Sequence, residues 1–260
     1  MSNARNRSSF LYRISPVIIP LAFLAFWEIS VRSGAGNILL PPPSQVFQTL
    51  LELTLNGIIF DHIGASLFRV AAGYILSVLI GVPLGLAMGY WLLADGLLST
   101  TVNGLRPIPA SAWVPLSIIL MGIGEQPVIF LVFIGTVWSI ILNTSHGVRM
   151  VPKHLVWAAQ TMGASNAQIF TKIIFPASLP STFNGMRVAV GIAFTCVIVA
   201  ELIAVRSGLG YLITEARMII RSDIVIAGMI AIGIVGFTLD ALVRLVMNRA
   251  LRWQKGLVTE

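Results

Sequence analysis

Six stretches of this chain, about 14–32, 69–93, 102–122, 127–145, 184–205 and 223–247, are apolar over nearly their whole length. A helix needs about 20 mainly apolar residues to cross the hydrocarbon core of a bilayer. Inside lipid the backbone must satisfy its own polar groups, so a crossing segment is either a helix or a strand of a closed barrel. None of the six shows the roughly 10-residue alternation of a barrel strand. The pattern predicts an all-α integral membrane protein with six transmembrane helices. Composition closes the alternatives: 57% of the 260 residues are hydrophobic and 10% are charged, against about 25% charged in a soluble domain. So few charges could not cover a soluble surface. A globular cytosolic enzyme, a disordered regulator and a disulfide scaffold are thereby excluded.

The formal net charge is +7. The basic residues are scattered between apolar runs, with no basic stripe and no interleaved aromatics, so nucleic acid is not the expected partner. They read instead as a topology signal. With the N-terminus inside, eleven Lys and Arg fall on the cytoplasmic side, five fall outside and Arg106 sits at a membrane edge. That bias predicts both termini in the cytoplasm. Arg5, Arg7 and Arg13 followed by the apolar Ile14 to Val31 are similar to a signal peptide. Glu28 sits late in that run and no convincing small-x-small cleavage site precedes the next segment, so it reads as an uncleaved first span. The expected organisation is a cytoplasmic tail over 1–13, a six-helix domain over 14–250 and a cytoplasmic tail over 251–260. The lone Cys196 can form neither an internal disulfide nor a multi-cysteine metal site, and reads as a packing residue.

The connections are unequal. Pro41-Pro42-Pro43 is a stiff break. Ser44 offers an N-cap to a short helix through about residue 57, expected along the membrane surface. Residues 93–101 read as a short inner turn, 123–126 as a short outer one, and 206–222 as an amphipathic outer loop. The longest polar interruption, 146–183, lies inside. Leu155, Ala158, Ala159 and Met162 recur at i, i+3, i+4 and i+7, one helix face, and Gly163 can end that helix in a left-handed conformation. A second helix, Asn166 to Phe175, should stop at Pro176, with Pro180 beyond it. A structured loop of this length predicts a docking surface.

Catalytic patterns are missing. There is no G-x-x-x-x-G-K-[ST] phosphate loop and no H-E-x-x-H. His62, His146 and His154 are expected in loops without metal spacing, and Gly208-Leu209-Gly210 follows no strand, so it reads as a flexible outer turn. Glu28 with Arg32 and Asp240 with Arg244 have pairing spacing, and Arg187 can snorkel to the headgroups of the membrane lipid. Glu201 lies about four residues from the outer end of its span. Ion-coupled pumps carry ionisable groups deep in the membrane. Without such a relay, the energy for any transport should enter through another subunit.

The inner loop carries a specific pattern. Trp157-Ala158-Ala159-Gln160-Thr161-Met162-Gly163, with Ile173 and Phe175-Pro176 after it, resembles the EAA motif of permease subunits of ATP-binding-cassette importers. Trp157 stands where that motif has Glu, and Phe175 where it has Leu. Leu105-Arg106-Pro107-Ile108-Pro109, Ala112-Trp113-Val114-Pro115-Leu116, Val199-Ala200-Glu201-Leu202-Ile203 and Ser207-Gly208-Leu209-Gly210-Tyr211-Leu212 are similar to the nitrate/sulfonate/taurine permease group. So are Leu39-Leu40-Pro41-Pro42-Pro43 and the Arg252-Trp253 ending. The resemblance implies the MetI-like fold of type I importers and an inner-membrane location. It also implies pairing of two such subunits as a homodimer, two ATPase chains that hold ATP and Mg, and an external solute-binding protein. No catalysis and no cofactor would then reside on this chain.

Residue expectations follow. By resemblance Trp157, Ala158, Ala159, Gln160, Met162, Gly163, Ala164 and Ser165 form the coupling helix and turn that dock on the ATPase. Small Ala158 and Ala159 permit close backbone approach. Arg106 is either a headgroup anchor or a guanidinium for sulfonate, nitrate or carboxylate oxygens. Pro107, Pro109 and Pro115 break the third span, which places Trp113 beside a pathway or in a packing kink. Asn143 and Thr144 are expected to hydrogen-bond across spans, and Asn143 is a candidate pathway residue. Glu201 is a candidate for the outer gate or for a neighbouring helix end. Tyr211, Glu215 and Arg217 are candidate contacts for the binding protein. The expected cargo is a small anion. The alternatives are bicarbonate or a pyrimidine vitamin precursor, an ion-coupled secondary transporter, and a scaffold or intramembrane enzyme.

Overall fold

The computed structural model describes residues 18–34 and 40–250. Both predicted tails, the start of the first span, Leu39 and the Arg252-Trp253 ending lie outside the described residues. All regular structure among the described residues is helical: α1 over 18–32, α2 Pro43–Leu55, α3 Ile58–Tyr90, α4 Leu92–Leu105, a 3-10 turn Ala110–Trp113, α5 Val114–Met121, α6 Glu125–Arg149, α7 Lys153–Thr161, α8 Asn166–Ile169, a π turn Phe170–Ile174, α9 Phe175–Ala204, α10 Leu209–Met218 and α11 Ser222–Ala250. Among the described residues, four helical stretches, Ile58–Tyr90, Glu125–Arg149, Asn166–Ala204 and Ser222–Met247, are long and apolar enough to cross a membrane. The pair Leu92–Leu105 and Ala110–Met121, bent by 87°, makes a fifth if it forms one broken span.

Three expectations change. Residues 93–101 are helix, not a turn, because α4 starts at Leu92; the expected third span breaks where Pro107 and Pro109 withhold backbone donors. Ser44 does not cap α2: Pro42 is the N-cap, with Pro43 in the first turn, where a missing N–H costs nothing. Nor does Pro176 stop the second loop helix, which runs on as a 39-residue stretch from Asn166 to Ala204. A proline cannot bond to the i−4 carbonyl and clashes with it. The wider turn at Phe170–Ile174 relieves that conflict and leaves Pro176 in the first turn of α9.

The chain divides into two compact units. One joins the residues before Asp61 to Leu212–Ile230. In it the Glu28 carboxylate ties α1 to α2, accepting from the Ser44 amide at 3.0 Å and hydroxyl at 2.8 Å and pairing with Arg32 at 2.5 Å. Thr49 donates to Asp223 at 2.8 Å, and Asp223 also holds Arg221.

The other unit comprises Asp61–Tyr211 and the residues from Ala231. Along α3, Gly73, Ser77, Gly81, Gly85 and Gly89 recur every four residues and form one stripe. An added Cβ on Gly73, Gly85 or Gly89 would meet α6 backbone carbonyls and the side chains of Val132, Thr144 or Val148. Ser77 bonds Thr136 at 2.6 Å. Lipid tails are as apolar as the helices, so close backbone approach and dispersion hold such pairs together. α6 meets α9 by the same device: Gly147 lies against Ser181, Gly185 against Asn143 and Gly135 against Cys196.

Candidate functional site

The loop after α6 is built by local rules. α7 closes in a Schellman arrangement: Ala164 N–H donates to Ala159 O at 3.0 Å and Gly163 N–H to Gln160 O at 2.9 Å, with Gly163 at φ +80°. Ser165 and Gln168 then form a reciprocal capping box at the start of α8. The spacing Ser165-x-x-Gln168 is itself the sequence signal of such a box. Val148, Ala159, Ile169 and Ile174 bury together, with Leu86 and Tyr90 of α3 against them. Phe170 packs edge-on to Tyr90 at 5.1 Å between ring centroids. α7 is thus clamped to the ends of α3 and α6.

The clamp sorts the expected coupling residues. Ala159 is buried and Ala164 half-buried, and these hold the helix down. Trp157, Ala158, Gln160, Met162, Gly163 and Ser165 are exposed, with Met162 at 81%. The expected apolar face therefore splits: Leu155, Ala158 and Met162 point away from the chain, and Ala159 points in.

Above this loop lies a polar cavity of about 800 Å³ between α4, α6 and α9. α4 and its C-cap contribute Asp95, Ser99, Asn103 and Arg106; α6 contributes Ser139, Asn143, His146 and Arg149. Val188 and Ile192 of α9 supply an apolar wall. Asn143 donates to Ser139 O at 2.8 Å and accepts from Asn184 across to α9 at 3.5 Å. Its neighbour Thr144 makes no such bond: its buried hydroxyl is unpartnered. Arg149 pairs with Asp95 at 2.5 Å. The Arg106 side chain has no ion-pair or hydrogen-bond partner among the described residues, whereas its backbone N–H donates to Val102 O at 3.0 Å. Trp113 and Glu201 do not line this cavity; Trp113 packs edge-on to Phe130, 6.4 Å between ring centroids.

Glu201 belongs to a buried cluster that the sequence did not reveal. Arg69 lies within α3, eleven residues after its start, and is fully buried. Its guanidinium bridges Glu201 at 2.6 Å and Glu125 at 2.5 and 2.7 Å, and donates to Ser207. Ser66 and the Gly210 N–H complete the Glu201 carboxylate. The Gly208-Leu209-Gly210 stretch is not a flexible turn: a Cβ on Gly208 would overlap that carboxylate. The histidines lie on helices rather than in loops: His62 on α3, His146 on α6 and His154 on α7. His62 Nδ1 accepts from the Gly208 N–H at 3.0 Å, and its ring stacks with Tyr211. On α10, Tyr211 is half-buried, whereas Glu215 and Arg217 are exposed.

Apolar helices long enough to cross a membrane, a helix pair bent by 87° and a polar cavity among them describe a helical membrane protein with a polar interior. Residues 81–252 match the family described as the binding-protein-dependent transport system inner membrane component, and the chain belongs to that family. A putative ABC transporter permease protein of Methanocaldococcus jannaschii is 38% identical over 96% of this chain and 94% of the relative. The taurine transport system permease protein of Escherichia coli is 32% identical over 88% and 85%. A chain of the inward-facing MetNI methionine ABC transporter shares the fold, with a TM-score of 0.59 at 20% identity over 74% of this chain and 98% of that one. The protein is thus an ABC importer permease subunit of the taurine, sulfonate and nitrate group, an inner membrane component.

Proposed function

We propose that this chain forms the translocation pathway for a small oxyanion such as a sulfonate or nitrate, and that Arg106 contacts the cargo in the cavity. The observation that carries this is an unpaired guanidinium on a polar cavity of about 800 Å³ lined by amide and hydroxyl donors. A planar guanidinium matches the oxygens of sulfonate and nitrate, and Asn103, Asn143, Ser99 and Ser139 offer neutral donors beside it. The taurine and nitrate permeases among the relatives support the same cargo class. Trp113 flanks the pathway at the break in the third span. Glu201 serves it indirectly, by holding the end of α9.

The six-span assembly of this reading has both termini in the cytoplasm and pairs with a second copy as a homodimer. Exposed Trp157, Ala158, Gln160, Met162, Gly163 and Ser165 dock on an ATPase chain, with Ala159 and Ala164 bracing that surface from behind. ATP and Mg sit on two such ATPase chains, so hydrolysis is not this subunit's chemistry. Tyr211, Glu215 and Arg217 receive the external solute-binding protein.

The test is uptake by the full transporter reconstituted in liposomes with its binding protein. Arg106→Gln should lower anion uptake at least tenfold and Arg106→Lys less, with basal ATP hydrolysis retained. Uptake within twofold of the unaltered protein would remove Arg106 from the pathway.

A further inference from the structure

We propose that Asp95 sets the charge of the anion that the cavity accepts, by neutralising Arg149 and leaving Arg106 as its single uncompensated cation. This rests on the anion reading above. The charged lining groups are Asp95, Arg106 and Arg149. Asp95 Oδ1 accepts from the Arg149 guanidinium at 2.5 Å, and the same guanidinium reaches the Met88 carbonyl at 3.3 Å. These three groups sum to one net positive charge, and Asp95 is the group that makes it one rather than two.

The pair is poorly placed to serve stability. Its side chains are 49% and 27% exposed, and ion pairs that reach water contribute little to folding. Its effect on a bound ion is larger. Asp95 lines the same cavity as the ion, and a unit charge a few ångströms from an anion changes its affinity severalfold even where water reaches the site. A carboxylate that stays paired with Arg149 repels a second negative charge on the cargo. It also blocks Arg149 from taking a second pair of oxyanion oxygens. Asp95 is thus a specificity-determining residue: a monovalent oxyanion meets one matching charge, and a divalent one finds half of its charge unmatched.

The experiment titrates the purified full chain in detergent, at constant ionic strength, with methanesulfonate and with sulfate, reading tryptophan emission; Trp138 lines the cavity. The unaltered protein should prefer methanesulfonate. Asp95→Asn should shift the affinity ratio toward sulfate by on the order of tenfold. Asp95→Glu should keep the original ratio. The double variant Asp95→Asn with Arg149→Gln returns the net charge to one and should return the ratio. A brace that merely held α4 to α6 predicts the reverse, because the double variant lacks the brace and would stay impaired. An Asp95→Asn ratio within twofold of the unaltered protein, or a double variant that keeps the shift, overturns the inference while leaving the anion reading intact. If the unaltered protein binds neither probe, the anion reading and the inference fall together.

Discussion

Among the described residues, Arg69 and Glu201 are the largest polar side chains removed completely from solvent. A buried ion with good partners is tolerated, whereas a buried ion stripped of them is not. Glu201 accepts from Arg69, Ser66 and Gly210, so its charge is matched from three sides. Arg69→Met should therefore lower stability by about 3–5 kcal/mol, read as midpoint shifts in thermal unfolding of the purified protein. Arg69→Met combined with Glu201→Gln should recover part of that loss, because the orphaned charge is gone. Equal losses in the single and double variants would show that the cluster acts through packing rather than charge. Gly208, at φ +106° and against the Glu201 carboxylate, adds a second check: Gly208→Ala should destabilise through both backbone strain and overlap.

At the scale of one element, α7 combines a rigid mount with an exposed face. The Schellman closure and the capping box fix its bend without help from the rest of the chain. Nothing lies within 4 Å of a Cβ built on Gly163, so the site has room for a side chain and resists only the left-handed backbone. Gly163→Ala should then cost about 1 kcal/mol and leave coupling largely intact. Gly163→Arg should still insert, yet abolish solute-stimulated ATP hydrolysis, because a long charged side chain would occupy the docking turn. Normal stimulation in Gly163→Arg, measured in reconstituted transporter, would sink the docking role of α7.

For the whole molecule, the chain has a pathway-like cavity and no phosphate loop in its sequence. Its relatives are permease components of ABC transporters, so the proposed function predicts that it works in an assembly. Purification of the tagged chain from its native host in mild detergent should bring along a stoichiometric ATPase, identified by mass spectrometry. A clean oligomer of this chain alone, repeated across detergents and after cross-linking, would favour an ion-coupled transporter or a scaffold instead.

Much of this was legible in the sequence because it depends on local chemistry. Apolar run length gave the membrane class, Gly163 gave the left-handed stop, and i, i+4 spacing gave the Glu28–Arg32 and Asp240–Arg244 pairs. Of the four residues singled out as pathway candidates, Arg106 and Asn143 line one cavity, and Trp113 and Glu201 do not. Other features were decided only by tertiary contacts. Arg69 is separated from Glu125 and Glu201 by 56 and 132 residues, and no local pattern links such partners. The direction of Ala159 depends on Val148 and Ile174 beneath it. The run through Pro176 depends on a π turn whose fit is set by packing. Local propensity sets where helices begin and which faces are apolar. Which charges are matched, and which small residues touch, is settled when distant helices close on one another, since burial makes an unmatched charge too costly to keep.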